Sequence, residues 1–461
     1  MSLPAPLLLM GGPLLPALLT AALRRWPRLA AGVGVVSAMA LWRLTASVSL
    51  AAGSAPSLFA GDTLLLLGRS LTLTEGVRLA FTLLYGGLAL LLLLSIWLPQ
   101  GSDFTPASFA VLAILSAAVM ARPFSFAALL LLAAAAVSTA VLQADRPDSA
   151  DAALRYLVFV ALATPLFLAA SWMLDSGQLS LQGTVWRLLL GGFALLLAGF
   201  PFYIWVRPLV VASSSLTPAF QFGLAQFGQF IFVLALLQEN SWVWGVPAFL
   251  ELLRWSGLLT LALGGVLALI SRDAGHVLGS LLLVDLGGTL LLLTLGATGP
   301  AVALAALLAR FGALVGAGVG MTALQRRRAE ADHTLTWWLG LAAFVYGALS
   351  LLGFPLTPGF APRWGLVALL AQPDSGWAWA AGVVIAALAA GAVGLIKCAR
   401  AWVEMPAGPL QLSRSWRDGM DKPIIIILLF FLLGALAFVF FPQTILRQAG
   451  ELAPLFAPLL P

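Results

Sequence analysis

Apolar runs of about 20 residues follow one another along this chain with little between them, and that pattern restricts it to one physical setting. A helix of about 20 residues crosses the hydrocarbon core of a bilayer. Inside lipid only a helix or a closed barrel satisfies every backbone N–H and C=O. On that ruler the sequence holds about 14 spans. They run Pro4 to Ala22, Leu29 to Ala52, Val77 to Leu98, Phe109 to Met120, Phe124 to Leu142, Ala152 to Leu174 and Val185 to Trp205. The series continues with Ala219 to Gln238, Val246 to Ile270, Val277 to Leu295, Ala301 to Ala323 and Leu335 to Leu352, the last continuing past an interruption to Ala371. Trp377 to Val403 and Pro423 to Phe441 complete it. Only 9% of residues are charged, far below a soluble domain, so the expected fold class is an all-α polytopic membrane protein.

The net charge of +6 is not a nucleic-acid signal, because the basic residues sit in short connectors rather than on one face. It follows the rule that cytoplasmic connectors are basic. With the loop around Arg24, Arg25 and Arg28 cytoplasmic, strict alternation puts Arg207, Arg272, Arg326 to Arg328, Arg400, Arg414, Arg417 and Lys422 on the same side. Arg69, Arg78, Arg122, Arg187 and Arg447 fall opposite. Both termini are then expected on the non-cytoplasmic side of a bacterial inner or plasma membrane, with the first span retained. One cysteine, Cys398, excludes a disulfide framework or a cysteine metal cluster. Two histidines, His276 and His333, are too few for a haem or multi-histidine site, and no metal site is expected.

Two interruptions break the oil. Gly353 to Trp364 reads G-F-P-L-T-P-G-F-A-P-R-W, with Pro355, Pro358 and Gly359 between two apolar runs. Gly199 to Pro218 carries Pro201, Pro208 and Pro218. Proline removes a backbone donor and blocks a helical turn, so both helices must break. Broken backbone at membrane depth survives only where it is buried in protein or lines a wet cavity. Paired interruptions of this kind mark ion or substrate paths in transporter folds.

Five stretches carry a resemblance to a known family. They are Asp151-Ala152-Ala153-Leu154-Arg155-Tyr156, Pro201-Phe202-Tyr203-Ile204-Trp205, Leu216-Thr217-Pro218, Ser271 to Gly287, and Gly353 to Trp364. In order and spacing they resemble the antiporter-like membrane subunits of respiratory complex I, nearest the N-type subunit of NADH:quinone oxidoreductase. Multisubunit cation/proton antiporters and membrane-bound hydrogenases contain related subunits. The resemblance implies two inverted five-helix repeats, each with one broken helix. The chain then divides into N-terminal helices (1–106), a first repeat (107–238), a second repeat (246–404) and a C-terminal helix (405–461) of a single transmembrane domain. It also implies work beside other membrane subunits, moving protons or cations, with redox cofactors and quinone held by those partners and none by this chain. No nucleotide-binding loop is present, and a role as the catalytic centre is not expected.

Family members carry buried ionisable groups along the membrane midplane. Aligned on the motifs, a glutamate of the family falls at or near Leu132, one lysine at Leu196, and another near Gly228 between Gln226 and Gln229. The remaining lysine becomes Arg363, and a histidine becomes Asp285. Leucine cannot titrate, and arginine keeps its proton at all working pH values. The expectation is a retained fold with an impaired or rerouted proton path.

The candidate path comprises Asp285, Arg310, Arg363, Lys397, His276, Gln226 and Gln229. Each has a plainer alternative. Asp285 is a proton carrier or a buried pair with a neighbouring arginine, and Arg310 is a partner for Asp285 or for another buried acid. Arg363 is a fixed charge facing an internal cavity, a snorkelling arginine, or a cap on broken-helix carbonyls. Lys397 extends a wet path or joins Arg400 in a basic cluster. His276 is a relay member or a solvated connector residue. Gln226 and Gln229 hold a water chain or bind helices together. Three functions fit: a subunit of a proton- or ion-translocating complex I-like assembly, the membrane half of an ion-coupled inorganic-carbon uptake system, or a non-conducting structural subunit.

Overall fold

The computed structural model describes residues 4–48, 50, 61–66, 68–98, 100–143, 149–328, 335–372, 376–404, 421–440 and 443–456. Arg414, Arg417 and His333 lie outside them. Among the described residues eleven helices are long and apolar enough to cross a membrane by length and composition. Phe104–Met120, the interrupted segment from Gln182 to Ala212, and Asp421–Phe440 add three more apolar elements. The chain thus has the helical, polytopic architecture expected of about 14 spans. It divides into two compact units, residues 1–205, 220–253 and 451–461, and residues 206–219 and 254–450.

The first unit packs its helices largely in chain order, with Phe104–Met120, Phe124–Leu142, Ser149–Asp175 and Gln182–Leu196 each against the next. Its centre is the helix Gln226–Glu239, buried from Gln226 to Leu237 and led in by a π-helical turn at Ala219–Ala225. The first span is split: Ala5–Gly11 and Leu14–Ala22 flank Pro13. Pro13 has no N–H for the Leu9 carbonyl four residues back. Tyr85 and Ser116 donate to that carbonyl instead, at 3.1 and 2.7 Å, so the freed acceptor ties three helices together.

The connector between Pro27–Ser47 and Glu75–Ser95 contains a β-hairpin: β1 (Thr63–Leu66) and β2 (Arg69–Thr72), antiparallel with Leu66 opposite Arg69. Gly68, at φ +74°, supplies the left-handed residue such a closure needs. A third short strand, β3 (Ala121–Arg122), pairs with β2. The sheet requires the connectors after Pro27–Ser47 and Phe104–Met120 to share one side of the membrane, as strict alternation of spans demands. Arg122 leaves β3 to pair with Glu239 and to cover the Phe124 ring at 4.3 Å. Burial pulls its pKa below the ordinary arginine value, against the opposing charge of Glu239.

In the second unit the hub is Ala274–Leu293, which is almost wholly buried. It touches Val206–Ala212, Gly299–Arg328, Leu335–Leu352, Phe360–Leu370 and Ala378–Val403. Helix backbones meet through small residues. A Cβ on Gly287 would lie 2.4 Å from the Leu261 nitrogen, and one on Gly320 would lie 2.4 Å from the Phe344 nitrogen. Such contact places side chains from successive helices within a few ångströms of one axis.

Both interruptions end their first helix in the same way. Leu335–Leu352 closes with Phe354 N–H on the Leu349 carbonyl (3.0 Å) and Gly353 N–H on Ser350 (3.1 Å), Gly353 having φ +72°. This is a Schellman motif with glycine at its left-handed position, and Pro355 follows. Gln182–Leu196 closes with Gly199 N–H on the Ala194 carbonyl (2.8 Å), but its left-handed residue is Ala198, at φ 59°, and Pro201 follows. Pro201, Pro355, Pro358 and Gly359 lie in the broken segments. Pro208 is inside the short helix Val206–Ala212, and Pro218 precedes the π-helical turn.

Candidate functional site

A charged side chain in the bilayer core is costly, so the buried ones matter first. Among the described residues three charged side chains are buried: Asp285, Arg310 and Arg363, at 5%, 2% and 6% exposure. All three lie in the second unit, and they form one cluster.

Asp285 comes from the middle of the hub Ala274–Leu293, Arg310 from the neighbouring Gly299–Arg328, and Arg363 from the first turn of Phe360–Leu370, just past the interruption. One carboxylate oxygen of Asp285 accepts from Arg310 Nε; the other accepts from Arg363 Nη2 at 2.7 Å. Arg310 Nη2 also donates to Thr289 Oγ1 at 2.5 Å. Thr289 in turn donates to the Asp285 carbonyl one helical turn back, at 2.9 Å. Arg363 Nη2 donates a second hydrogen bond, at 3.0 Å, to the Leu351 carbonyl at the end of the preceding half-helix.

The local backbone explains how Arg363 arrives there. The Schellman turn at Gly353 reverses the chain, and Gly359 N–H is caught by Ser350 Oγ at 3.2 Å. Its stem crosses Gly353, where a Cβ would lie 2.3 Å from the Arg363 Cβ. The guanidinium then lies against Gly288 on the hub, where a Cβ would lie 1.9 Å from Nη1. Glycine at both places lets a broken helix and an intact one approach closely enough for this ion pair.

Both guanidiniums are charged at any working pH, so the carboxylate between them is held by two fixed cations. Each ion pays a desolvation penalty of several kcal/mol, which excellent geometry and further hydrogen bonds must offset. The arrangement holds its charge in place. Neither arginine gives up its proton at working pH, so neither can pass one on as a lysine or histidine could.

The other candidates lie elsewhere. Lys397 is on an exposed face of Ala378–Val403, and Arg400 nearby pairs with Glu404. His276 is exposed, with Nδ1 3.6 Å from the Asp273 carboxylate one turn away. Both lie outside the cluster. Gln226 and Gln229 are buried in the first unit. Gln229 Nε2 donates to the Tyr156 hydroxyl at 3.1 Å, and Gln221 and Ser138 turn toward the same oxygen. Trp205 packs on Tyr156 at 5.0 Å and stacks on Phe222 at 5.5 Å. This neutral cluster centres on Tyr156, which the sequence marks only as the end of the Asp151–Tyr156 motif, although a tyrosine in an apolar run must find a partner for its hydroxyl when buried.

Leu196 is fully buried and Leu132 half-buried. At Gly228 a Cβ would meet Leu115 at 3.3 Å. Leucine stands at Leu132 and Leu196, where the resemblance places a glutamate and a lysine, while Gly228 lies between the buried Gln226 and Gln229.

No family model matches the sequence, and no curated protein matches it significantly. Solved structures do. A chain of the Mrp complex from Dietzia sp. DQ12-45-1b superposes with a TM-score of 0.74 at 16% identity, over 98% of this chain and 97% of that one. A chain of the membrane-bound sulfane sulfur reductase, an archaeal respiratory membrane complex, gives 0.73 at 15% identity, over 98% and 97%. One from respiratory complex I of Thermus thermophilus gives 0.70 at 18% identity, over 97% and 100%. At these identities the likeness is one of fold. The chain is an integral multi-pass membrane protein with the fold of the antiporter-like subunits that its motifs resemble.

Proposed function

We propose that this chain is a membrane subunit of a complex I-like, ion-translocating assembly, in which it contributes scaffold and a modified proton path. The observation that carries the reading is the buried Asp285–Arg310–Arg363 cluster at the interruption of Leu335–Leu352. Buried ionisable groups at a broken helix mark a path in transporter folds. In this reading the cluster acts as a fixed electrostatic element that orders water beside it, while protons are passed by neighbouring groups. Other membrane subunits are its partners, lipid surrounds it, and redox cofactors and quinone belong to those partners.

A second reading, a subunit that conducts nothing, draws support from the first unit, where no charged side chain is buried among the described residues. Proton flux in proteoliposomes containing the purified native assembly separates the two. Asp285→Asn lowers flux if the cluster shapes a path and leaves it unchanged if the subunit is structural. Recovery of the chain from native membranes without any other membrane subunit defeats both.

A further inference from the structure

We infer that Arg363 binds a small monovalent anion, of the chloride or bicarbonate class, beside the charge cluster of the second unit. The inference starts from hydrogen bonds and charge, and it stands whether or not the chain conducts protons.

Arg363 is 6% exposed, and only part of its guanidinium is used. Nη2 donates to Asp285 Oδ1 and to the Leu351 carbonyl. Nε is buried and has no acceptor among the described residues. A buried donor attached to a full positive charge is among the most expensive groups to leave unmade. Asp285 cannot meet this demand alone, because its second oxygen is taken by Arg310 Nε. It is also the one buried carboxylate among the described residues. Arginine has no neutral form to retreat to at working pH. A water could accept from Nε, but the cluster, with one carboxylate against two guanidiniums, keeps a net charge of +1, and an anion both accepts that hydrogen bond and cancels that charge.

The surroundings select the class. Arg363 stands in the first turn of Phe360–Leu370, an 11-residue helix whose positive end adds to the local potential. The backbone N–H groups of Gly353, Phe354, Gly359 and Phe360 are committed within the interruption, so the guanidinium is the donor there. A cation is repelled. A dianion would overcompensate, leaving net negative charge in oil. One negative charge leaves the cluster neutral.

Thermal unfolding of the full-length chain in detergent, at constant ionic strength, tests this with sodium gluconate exchanged stepwise for chloride or, separately, bicarbonate. The expected result is a rise in Tm that saturates with at least one of the two anions and is absent in gluconate. Radiolabelled chloride or bicarbonate should bind one ion per chain. Arg363→Gln removes the donor and abolishes both signals. Asp285→Asn binds the same ion roughly tenfold or more tightly, because a unit negative charge is withdrawn from beside it. Equal Tm in all three salts, no stoichiometric binding by the wild-type chain, or an undiminished response in Arg363→Gln would each overturn the proposal. Wild-type stoichiometry decides alone if a variant fails to fold. Saturation by bicarbonate without chloride, or the reverse, identifies which ion the site takes.

Discussion

Asp285 and Arg363 lie 78 residues apart in the chain, yet Arg363 Nη2 donates to Asp285 Oδ1 at 2.7 Å inside the second unit. That bond joins a half-helix to the hub, and Arg310 grips the same carboxylate from a third helix. Removing one member of such a cluster strands the rest. Asp285→Asn is expected to cost about 3–5 kcal/mol, because two guanidiniums remain buried against a neutral amide. Replacing all three together (Asp285→Leu, Arg310→Met, Arg363→Met) removes the desolvation debt and should unfold within about 1–2 kcal/mol of wild type. Denaturation in detergent compares the two; a single variant as stable as wild type shows that the cluster carries no net interaction.

Gly288 should behave as part of that cluster although it has no side chain. A methyl group there would lie 1.9 Å from Arg363 Nη1, the far end of a flexible side chain. The helix therefore survives Gly288→Ala, while the guanidinium is pushed from its place against Asp285, at about 1–3 kcal/mol. In an Arg363→Gln background the same substitution has less to displace. A double-mutant cycle should then report a coupling of about 1 kcal/mol or more. Additive losses would mean that Gly288 matters only for helix packing.

What the sequence made legible follows physical rules of different strength. The two interruptions are legible because proline acts locally: Pro201 and Pro355 stop the helix whatever surrounds them, and Gly353 favours the left-handed turn before its break. Asp285 and Arg310 stood out because a charge inside an apolar run is rare. A nearly all-apolar helix has little periodicity to say which way a given side chain faces, so the sequence does not separate Lys397 and His276, which lie outside the cluster, from its members. That Arg363 reaches Asp285 depends on the reversal at Gly353 and on contact between helices far apart in sequence. The hairpin of Thr63–Leu66 and Arg69–Thr72 is not legible in the sequence, because four-residue strands in a connector carry almost no periodicity.

The matching turns at the two interruptions make an asymmetric prediction. Ala198 occupies the left-handed position that Gly353 fills in the other break, at φ 59° against φ +72°. An L-residue pays about 1–2 kcal/mol there. Ala198→Gly relieves that strain, offset by the greater freedom of glycine in the unfolded chain, for a net gain of about 0.5–1 kcal/mol. Gly353→Ala pays the strain and also presses a Cβ to 2.3 Å from the Arg363 Cβ, so its loss should exceed the gain at Ala198. A stabilised Gly353→Ala would refute the assignment of this turn.

The neutral cluster of the first unit answers to a different test, because no charge is stranded when it is cut. Tyr156→Phe deletes the hydroxyl that accepts from Gln229 Nε2 and leaves that amide buried without its acceptor. The expected loss is about 1–3 kcal/mol, the cost of an unmade hydrogen bond in oil. Adding Gln229→Leu removes the stranded donor, so the double variant should be more stable than Tyr156→Phe alone. If the order is reversed, Gln229 is held by its other neighbours. The Tyr156 ring, packed between helices and against Trp205, would then stabilise the unit by shape rather than through its hydroxyl.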